Sequence, residues 1–298
     1  MKYAVIIPAK NEENDLPVAL NSIISQTLSP VCILVVDDHS TDGTAKVVRS
    51  FMDKYPFVEY LFHDENHQYN LGSPVVKAFH KGEEFLLRKK YSFDYLVKID
   101  ADVSFSPEIF EETWKFIKKQ DTSCGIVSNV PYFNVNGKKK YRNSPEWHTN
   151  GSFKVYSLRC LNEIGGLKKE LGWDCADNIM AMEKNWQTFV IPYLNHELIR
   201  PIGRFSRKRG AKRQGIGAYK LRYSILYVFF KAFHDMLNPP YGILGFCYLY
   251  GYFMALLKRE KKTLTKNQGS LLRRLLWKSF FNRLQKREFL LLQKENEK

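Results

Sequence analysis

Apolar and polar residues alternate in blocks along the first 200 positions. Tyr3–Ile7 (YAVII) is an all-apolar run of strand length, the pattern of a strand buried on both faces of a parallel sheet. A polar cluster follows, Pro8-Ala9-Lys10-Asn11-Glu12-Glu13-Asn14. Leu16, Ala19, Leu20, Ile23 and Ile24 then recur at helical spacing, with Asn14 or Asp15 as N-cap. Cys32–Val36 repeats the strand pattern and runs into Asp37-Asp38-His39-Ser40-Thr41-Asp42-Gly43-Thr44, after which Val47, Val48, Phe51 and Met52 signal a helix. Val58–Phe62 reads as a third strand, followed by a loop with Asn70-Leu71-Gly72 and a helix through Val75, Val76, Phe79 and Phe85–Leu87. A fourth strand, Tyr95–Ile99, ends at Asp100-Ala101-Asp102. Beyond it the pattern predicts a helix over Ile109–Ile117, a strand over Gly125–Val130 and a hairpin turn at Asn136-Gly137. A strand over Gly151–Val155, a helix over Arg159–Ile164, a helix entered at Ile179 and a strand over Phe189–Pro192 follow. Strands alternating with helices predict a doubly wound, mostly parallel α/β sheet with helices on both faces. Ligands of such sheets bind beyond the carboxyl ends of the strands, so the three polar clusters are expected around one crevice.

The last hundred residues break this rhythm. Residues 201–298 hold 22 Lys/Arg against 5 Asp/Glu, whereas residues 1–200 hold 24 against 26, so the whole net charge of +15 sits in the last third. An anionic partner is expected to meet that end: a membrane surface, a phosphorylated substrate or a nucleic acid. Arg200–Lys220 is basic and glycine-rich, too polar for a core, and reads either as a mobile loop closing over a ligand or as a solvated linker. Tyr223–Phe233 and Tyr241–Leu257 are apolar and aromatic, split by Asn238-Pro239-Pro240. The second run has 17 residues, at the low limit for a membrane span, and its tyrosines and basic flanks favour helices lying in the interface. Leu271–Leu292 puts leucine and aromatic residues on one face and Arg/Lys on the other. Anionic membrane contact is the favoured reading of that segment, and packing against the preceding domain is the ordinary alternative. The expected division is therefore a domain over 1–200 and a basic helical appendage over 201–298.

Five cysteines, odd in number and without C-x-x-C spacing, suggest neither a disulfide framework nor a zinc site and fit a reducing compartment. The apolar start is strand-length and soon followed by charge, unlike a signal peptide. A cytoplasmic, surface-bound protein is expected.

The chemistry concentrates at Asp100 and Asp102. Residues i and i+2 of an extended backbone point the same way, so both carboxylates face one point. Two hard oxygen ligands beside an open edge suit Mg²⁺ or Mn²⁺, which take remaining ligands from water and phosphate. The plain alternative is a polar turn after a strand.

Taken together and in this order, PAKNEEN, VVDDHSTDGT and DAD resemble family 2 glycosyltransferases with the GT-A fold, over roughly residues 1–200. The resemblance implies that Pro8, Ala9, Asn11 and Glu12 line a nucleotide pocket and that Asp37 or Asp38 hydrogen-bonds the base or ribose. It implies further that Asp102, with Asp100 beside it, holds a Mn²⁺ or Mg²⁺ bridging the donor diphosphate. Lys77 matches a basic position near the phosphates in some members, against a reading as a solvated helix lysine. Gly172-Trp173-Asp174-Cys175-Ala176-Asp177 matches an acidic pair that supplies the general base; Asp174 aligns best and Asp177 is the second choice, with a helix N-cap as the structural alternative. His196 is the residue nearest a histidine that contacts metal or phosphate in relatives, though a few residues early. Processive members carry Gln-x-x-Arg-Trp, which this chain lacks. The implied activity is a metal-dependent, inverting transfer of one hexosyl or N-acetylhexosaminyl unit from a nucleotide-sugar, UDP-linked above all. The implied acceptor is a glycan or polyprenyl-phosphate-linked one, met at the cytoplasmic face of a membrane in polysaccharide or glycolipid synthesis. Two rival classes are weaker. A nucleotidyltransferase wants a glycine-rich loop after the first strand, and Pro8–Asn14 has no glycine. A nucleic-acid binder would rest on a tail without any recognised module, so no nucleic acid is expected.

Overall fold

The computed structural model describes residues 1–63, 74–120, 123–142, 144–200, 207–237 and 239–284. Three strands, β1 (Tyr3–Ala9), β2 (Cys32–Asp37) and β3 (Val58–Phe62), pair in parallel through the crossover helices α1 (Leu16–Ile24) and α2 (Thr44–Met52). The chain then passes through α3 (Pro74–Arg88) to β4 (Tyr95–Ile99), which pairs in parallel with the other side of β1. These are the strands the apolar runs predict, and Ile6, Ile7, Ile33, Leu34, Val35 and Leu96 are fully buried, as a sheet covered on both faces requires. Pro8 is tolerated in β1 because the β4 ladder ends at Ile6 and does not reach it.

The other half of the sheet is mixed. After the two-residue β5 (Val103–Ser104) and α4 (Ile109–Lys119) come β6 (Cys124–Val135) and β7 (Lys138–Tyr141). Asn136 and Gly137, both at positive φ (52° and 78°), join these two in the hairpin turn that Asn-Gly announces. Next come β8 (Phe153–Ser157), α5 (Leu158–Glu163), α6 (Trp173–Glu183) and β9 (Gln187–Leu198). β8 runs antiparallel to both β4 and β6, β9 runs parallel to β6, and β5 pairs antiparallel with β9. The strand order is β3-β2-β1-β4-β8-β6-β9-β5, with β7 attached to β6.

Two compact units divide the chain. The first holds the sheet and its helices. The second holds residues 168–180, which include most of α6, together with α7 (Arg207–Lys220), α8 (Ile225–Met236), α9 (Ile243–Leu257) and α10 (Lys266–Leu284). Its core joins Leu171, Ile216, Tyr219, Val228, Tyr248 and Tyr252. Here the structure corrects the sequence reading of the basic segment. Residues 207–220 are neither loop nor linker but a helix whose last turns are buried. Small residues make this possible: a Cβ on Gly215 would come within 1.9 Å of the Tyr248 carbonyl oxygen, and one on Gly251 within 2.1 Å of the Lys212 carbonyl oxygen. The backbones of α7 and α9 thus touch where a polar sequence offers few side chains to interlock. Residues 201–206, at the head of the same segment, lie outside the described residues. α10 turns Leu272 and Leu276 inward, so part of the amphipathic face read over Leu271–Leu292 is used for packing.

Candidate functional site

The loops after β1 and β2 are stitched to each other. Asn11 takes a left-handed turn (φ 55°), a conformation asparagine tolerates better than most. Its N–H donates to Ser40 Oγ at 2.9 Å, and its Oδ1 accepts from the Thr41 N–H at 2.7 Å. Glu12 N–H donates to Thr44 Oγ1 (2.8 Å), and Glu13 Oε2 accepts from the Gly43 N–H (2.7 Å). Asp37 closes its own turn: Oδ1 accepts from the Ser40 N–H at 2.8 Å and Oδ2 from the Tyr60 hydroxyl at 2.9 Å. Asp38, also buried, has Lys10 Nζ at 3.7 Å. Pro8 and Ala9 end β1 beside Val36 and Asp37. Asn11 and Asp37 thus have evident structural work, while Glu12 points elsewhere.

Glu12 meets the acidic end of β4 through a residue that sequence reasoning missed, Arg200. The register of β5 on β9 decides this. Val103 pairs with Leu198, and the Ile199 N–H donates to the Asp102 carbonyl at 2.9 Å, which sets Arg200 beside Asp102. Its Nη2 lies 2.5 Å from Glu12 Oε2 and 3.1 Å from Asp102 Oδ2, and its Nε lies 2.8 Å from Asp15 Oδ2. One guanidinium thereby gathers carboxylates from the β1–α1 loop and the β4–β5 turn. Nothing local in the sequence marks it out among 46 Lys/Arg; it is recognisable only once β9 is laid against β5.

Asp100 has its own cation. Lys98, two residues earlier on β4, buries its stem in the sheet, and its Nζ reaches Asp100 Oδ1 and the Gly151 carbonyl oxygen, the latter at 2.6 Å. The Asp100 N–H donates to the Ser152 carbonyl at 2.9 Å. The Asp102 carboxyl is pushed above the usual carboxylate range by burial and by the Asp100 charge, against the pull of Arg200. Two carboxylates in mutual repulsion at a strand end call for positive charge. Their hard oxygens also suit a divalent cation, so the donor set fits Mg²⁺ or Mn²⁺. Among the described residues, no group of three or more His, Cys, Asp or Glu is spaced to hold a metal by itself.

His196 lies beneath this place, with its ring closed off from it. Its ring is 1% exposed, with Nε2 2.8 Å from Ser152 Oγ, Nδ1 against Asn129 Oδ1, and Phe105 and Phe153 as ring neighbours. Burial, helped by the Lys98 charge, lowers the imidazole pKa to about 3. Both ring nitrogens are engaged by Ser152 and Asn129, so in this arrangement neither is turned towards Asp100 and Asp102 as the expected metal ligand would be. Lys77 lies half-buried on α3, and the loop before it is outside the described residues.

Asp174 and Asp177 belong to the second unit. Gly172, at φ 84°, turns the chain into α6. Asp174 is in the first helical turn and half-buried. Asp177 is fully buried, and its Oδ1 accepts from the N–H and side-chain amide of Asn178 at 2.7 and 3.0 Å. The two aspartates therefore differ in access.

The chain has relatives in sequence and in fold. The profile of the family described as Glycosyl transferase family 2 matches residues 4–169, more than half of the chain. The chain is 31% identical over 169 residues to the 4,4'-diaponeurosporenoate glycosyltransferase of Staphylococcus haemolyticus, covering 57% of this chain and 40% of that one. It is 31% identical over 110 residues to the uncharacterized glycosyltransferase YibD of Escherichia coli, covering 37% of this chain and 28% of that one. The matched stretches thus span less than half of either relative. Among solved structures, S. aureus TarS 1-349 in complex with UDP-GlcNAc superposes with a TM-score of 0.54 at 20% identity, over 76% of this chain and 68% of that one. The mannosyltransferase PcManGT of Pyrobaculum calidifontis, in complex with GDP-Man and Mn²⁺, gives 0.53 at 17% identity, over 96% and 88%. These likenesses carry the fold, a GT-A-type sheet with added C-terminal helices. By the profile match, resting on the strands and loops that position Glu12, Asp38 and Asp102, the chain belongs to glycosyl transferase family 2.

Proposed function

We propose that this protein is a metal-dependent, inverting glycosyltransferase that moves a single sugar from a nucleotide donor to a glycan or lipid-linked acceptor. One observation carries the reading. Glu12 of the first loop and Asp102 at the end of β4 converge on the same guanidinium, so the two clusters expected to bracket a nucleotide diphosphate share one charged locus. Pro8 and Ala9 would border the base and ribose, and Asp38 would accept hydrogen bonds from ribose hydroxyls or a ring N–H. Asp102, with Asp100 beside it, would hold Mn²⁺ or Mg²⁺, and the bound cation would supply counter-charge for the departing diphosphate. Two carboxylates leave coordination positions for phosphate oxygens and water. Lys98 fixes the orientation of Asp100 by holding one oxygen.

Asp174, the less buried of the α6 pair, is the proposed base that takes the proton from the acceptor hydroxyl. The buried Asp177, engaged with Asn178, would instead order the start of the helix. Direct attack by the acceptor hydroxyl, with such a base taking its proton, is a single displacement and inverts the anomeric centre.

The test is direct. Isothermal titration of the full chain with UDP- and GDP-sugars, each with Mn²⁺ or with EDTA, is expected to give binding that needs the cation and is lost in Asp102→Ala. Equal binding in EDTA, or an Asp102→Ala protein that still transfers sugar at most of the wild-type rate, overturns the metal assignment. Failure of every nucleotide-sugar overturns the donor class.

A further inference from the structure

α8 and α9 each bury one side in the second unit and leave an apolar stripe on the other. On α8, Val228 and Ala232 are buried, while Leu226, Phe229 and Phe233 recur at three- and four-residue spacing on the opposite side, with Phe233 62% exposed. On α9, Tyr248, Tyr252 and Ala255 go inward, and Phe246 (66% exposed) and Leu257 (77%) stand out. A row of this size and aromatic content is unusual on a surface facing only water.

Basic groups edge the stripe. Lys212 of α7 lies 4.9 Å from the ring centre of the exposed Tyr250, and Arg207 donates to the Pro239 carbonyl just before α9, at 3.2 Å. At the far end, Leu256-Leu257 runs straight into exposed Lys258-Arg259. From Arg207 to Arg259 there are ten Lys/Arg against one acid, Asp235. A second copy docked on this face would bring like charges together, and a nucleic acid would leave the phenylalanines unserved. Apolar aromatic side chains flanked by cations match the headgroup boundary of an anionic bilayer, where rings enter the acyl edge and Lys/Arg meet phosphates. Among the described residues, no helix is long and apolar enough to cross a membrane.

We infer that the α8–α9 face is a membrane-docking surface, which lies in the bilayer interface and selects anionic lipid. This does not depend on the transfer reaction.

The experiment uses the full chain and flotation with two kinds of vesicle, phosphatidylcholine alone and phosphatidylcholine with about 30% phosphatidylglycerol, whose negative surface potential attracts Lys/Arg. Wild-type protein is expected to float with the anionic vesicles and much less with the neutral ones. Phe229→Glu combined with Phe233→Glu is expected to weaken partitioning roughly tenfold or more, with the thermal midpoint and nucleoside diphosphate affinity unchanged. Leu257→Glu, on the other helix, serves as an independent variant should the first pair fail to fold. The inference is overturned if wild type stays with the aqueous phase in the presence of anionic vesicles, or if folded variants float as well as wild type. It is equally overturned if the substitutions only convert a dimer into monomers without changing flotation. Nucleotide binding measured on the same samples reports separately on the transferase reading.

Discussion

Arg200 concentrates the electrostatics of the candidate site. Its partners Glu12, Asp15 and Asp102 are all partly sheltered from water, so removing the guanidinium leaves three carboxylates in mutual repulsion. Arg200→Ala is expected to cost about 1–2 kcal/mol of stability, less than a fully buried pair because Arg200 itself retains solvent contact. Part of that loss should be recovered by Mn²⁺, since a divalent cation can take over the counter-charge. Denaturation midpoints in Mn²⁺ and in EDTA check this, and a variant indifferent to Mn²⁺ would refute it. His196 offers a pH test. Its folded pKa of about 3 lies below the ordinary 6.5, so between these values the unfolded chain binds a proton that the folded chain refuses. Stability from this group is therefore complete above pH 6.5 and declines as the pH falls towards 3. His196→Gln should lose less stability than wild type between pH 6.5 and 5, by about 2 kcal/mol at 1.36 kcal/mol per unit. Urea midpoints at the two pH values measure it, and parallel curves would show that the ring is not held neutral.

At the scale of elements, α6 separates by burial two aspartates that the sequence only ranked, Asp174 ahead of Asp177. Asp174→Asn is expected to lower kcat by about 10²–10⁴-fold with donor affinity kept, the usual range for a general base. Asp177→Asn should act mainly on the melting temperature, because it alters a buried bond to Asn178. Steady-state kinetics on both variants distinguishes them, and a larger kcat loss in a stable Asp177→Asn protein would reverse the assignment. The pairing of α7 with α9 is a second element-level device. Gly251→Leu would force a side chain into the Lys212 carbonyl and should cost about 3 kcal/mol or more, since overpacking against backbone has no flexible side chain to yield. Hydrogen exchange should rise across 207–257, while the protection of β1 and β2 stays intact. Uniform loss of protection would mean that this packing is not a local feature of the second unit.

For the molecule as a whole, charge and chemistry are segregated. The acidic clusters proposed to handle the donor lie in the sheet unit, and the excess of basic residues lies in the last third. Each unit has its own apolar core. On the docking proposal the lysines and arginines near the α8–α9 stripe would meet lipid phosphates, whereas Arg200 and Lys98 are paired with carboxylates of the sheet unit. Rising salt is therefore expected to weaken vesicle association more than binding of a nucleoside diphosphate, because exposed charges are screened most.

Local sequence alone determined the first four strands and their crossover helices. Uninterrupted apolar runs such as Tyr3–Ile7 and Cys32–Val36 have few alternatives to a doubly covered strand, and polar clusters have to follow them at the loop ends. The acidic pair after β4 and the Asn136-Gly137 turn were legible for the same reason, since their geometry is set by residues one or two apart. Three things waited for the tertiary structure. Arg200 became a site residue only through the pairing of β5 with β9, nearly a hundred positions apart in the chain. His196 is closed off because Ser152 and Asn129, far off in sequence, engage both its nitrogens. The basic, glycine-rich segment became a helix because Gly215 and Gly251 let two backbones meet, a contact that no hydrophobic period encodes. Short-range pattern specifies which elements form and which residues end them; which distant charges face one another depends on register and close packing, and these exist only once the chain has folded.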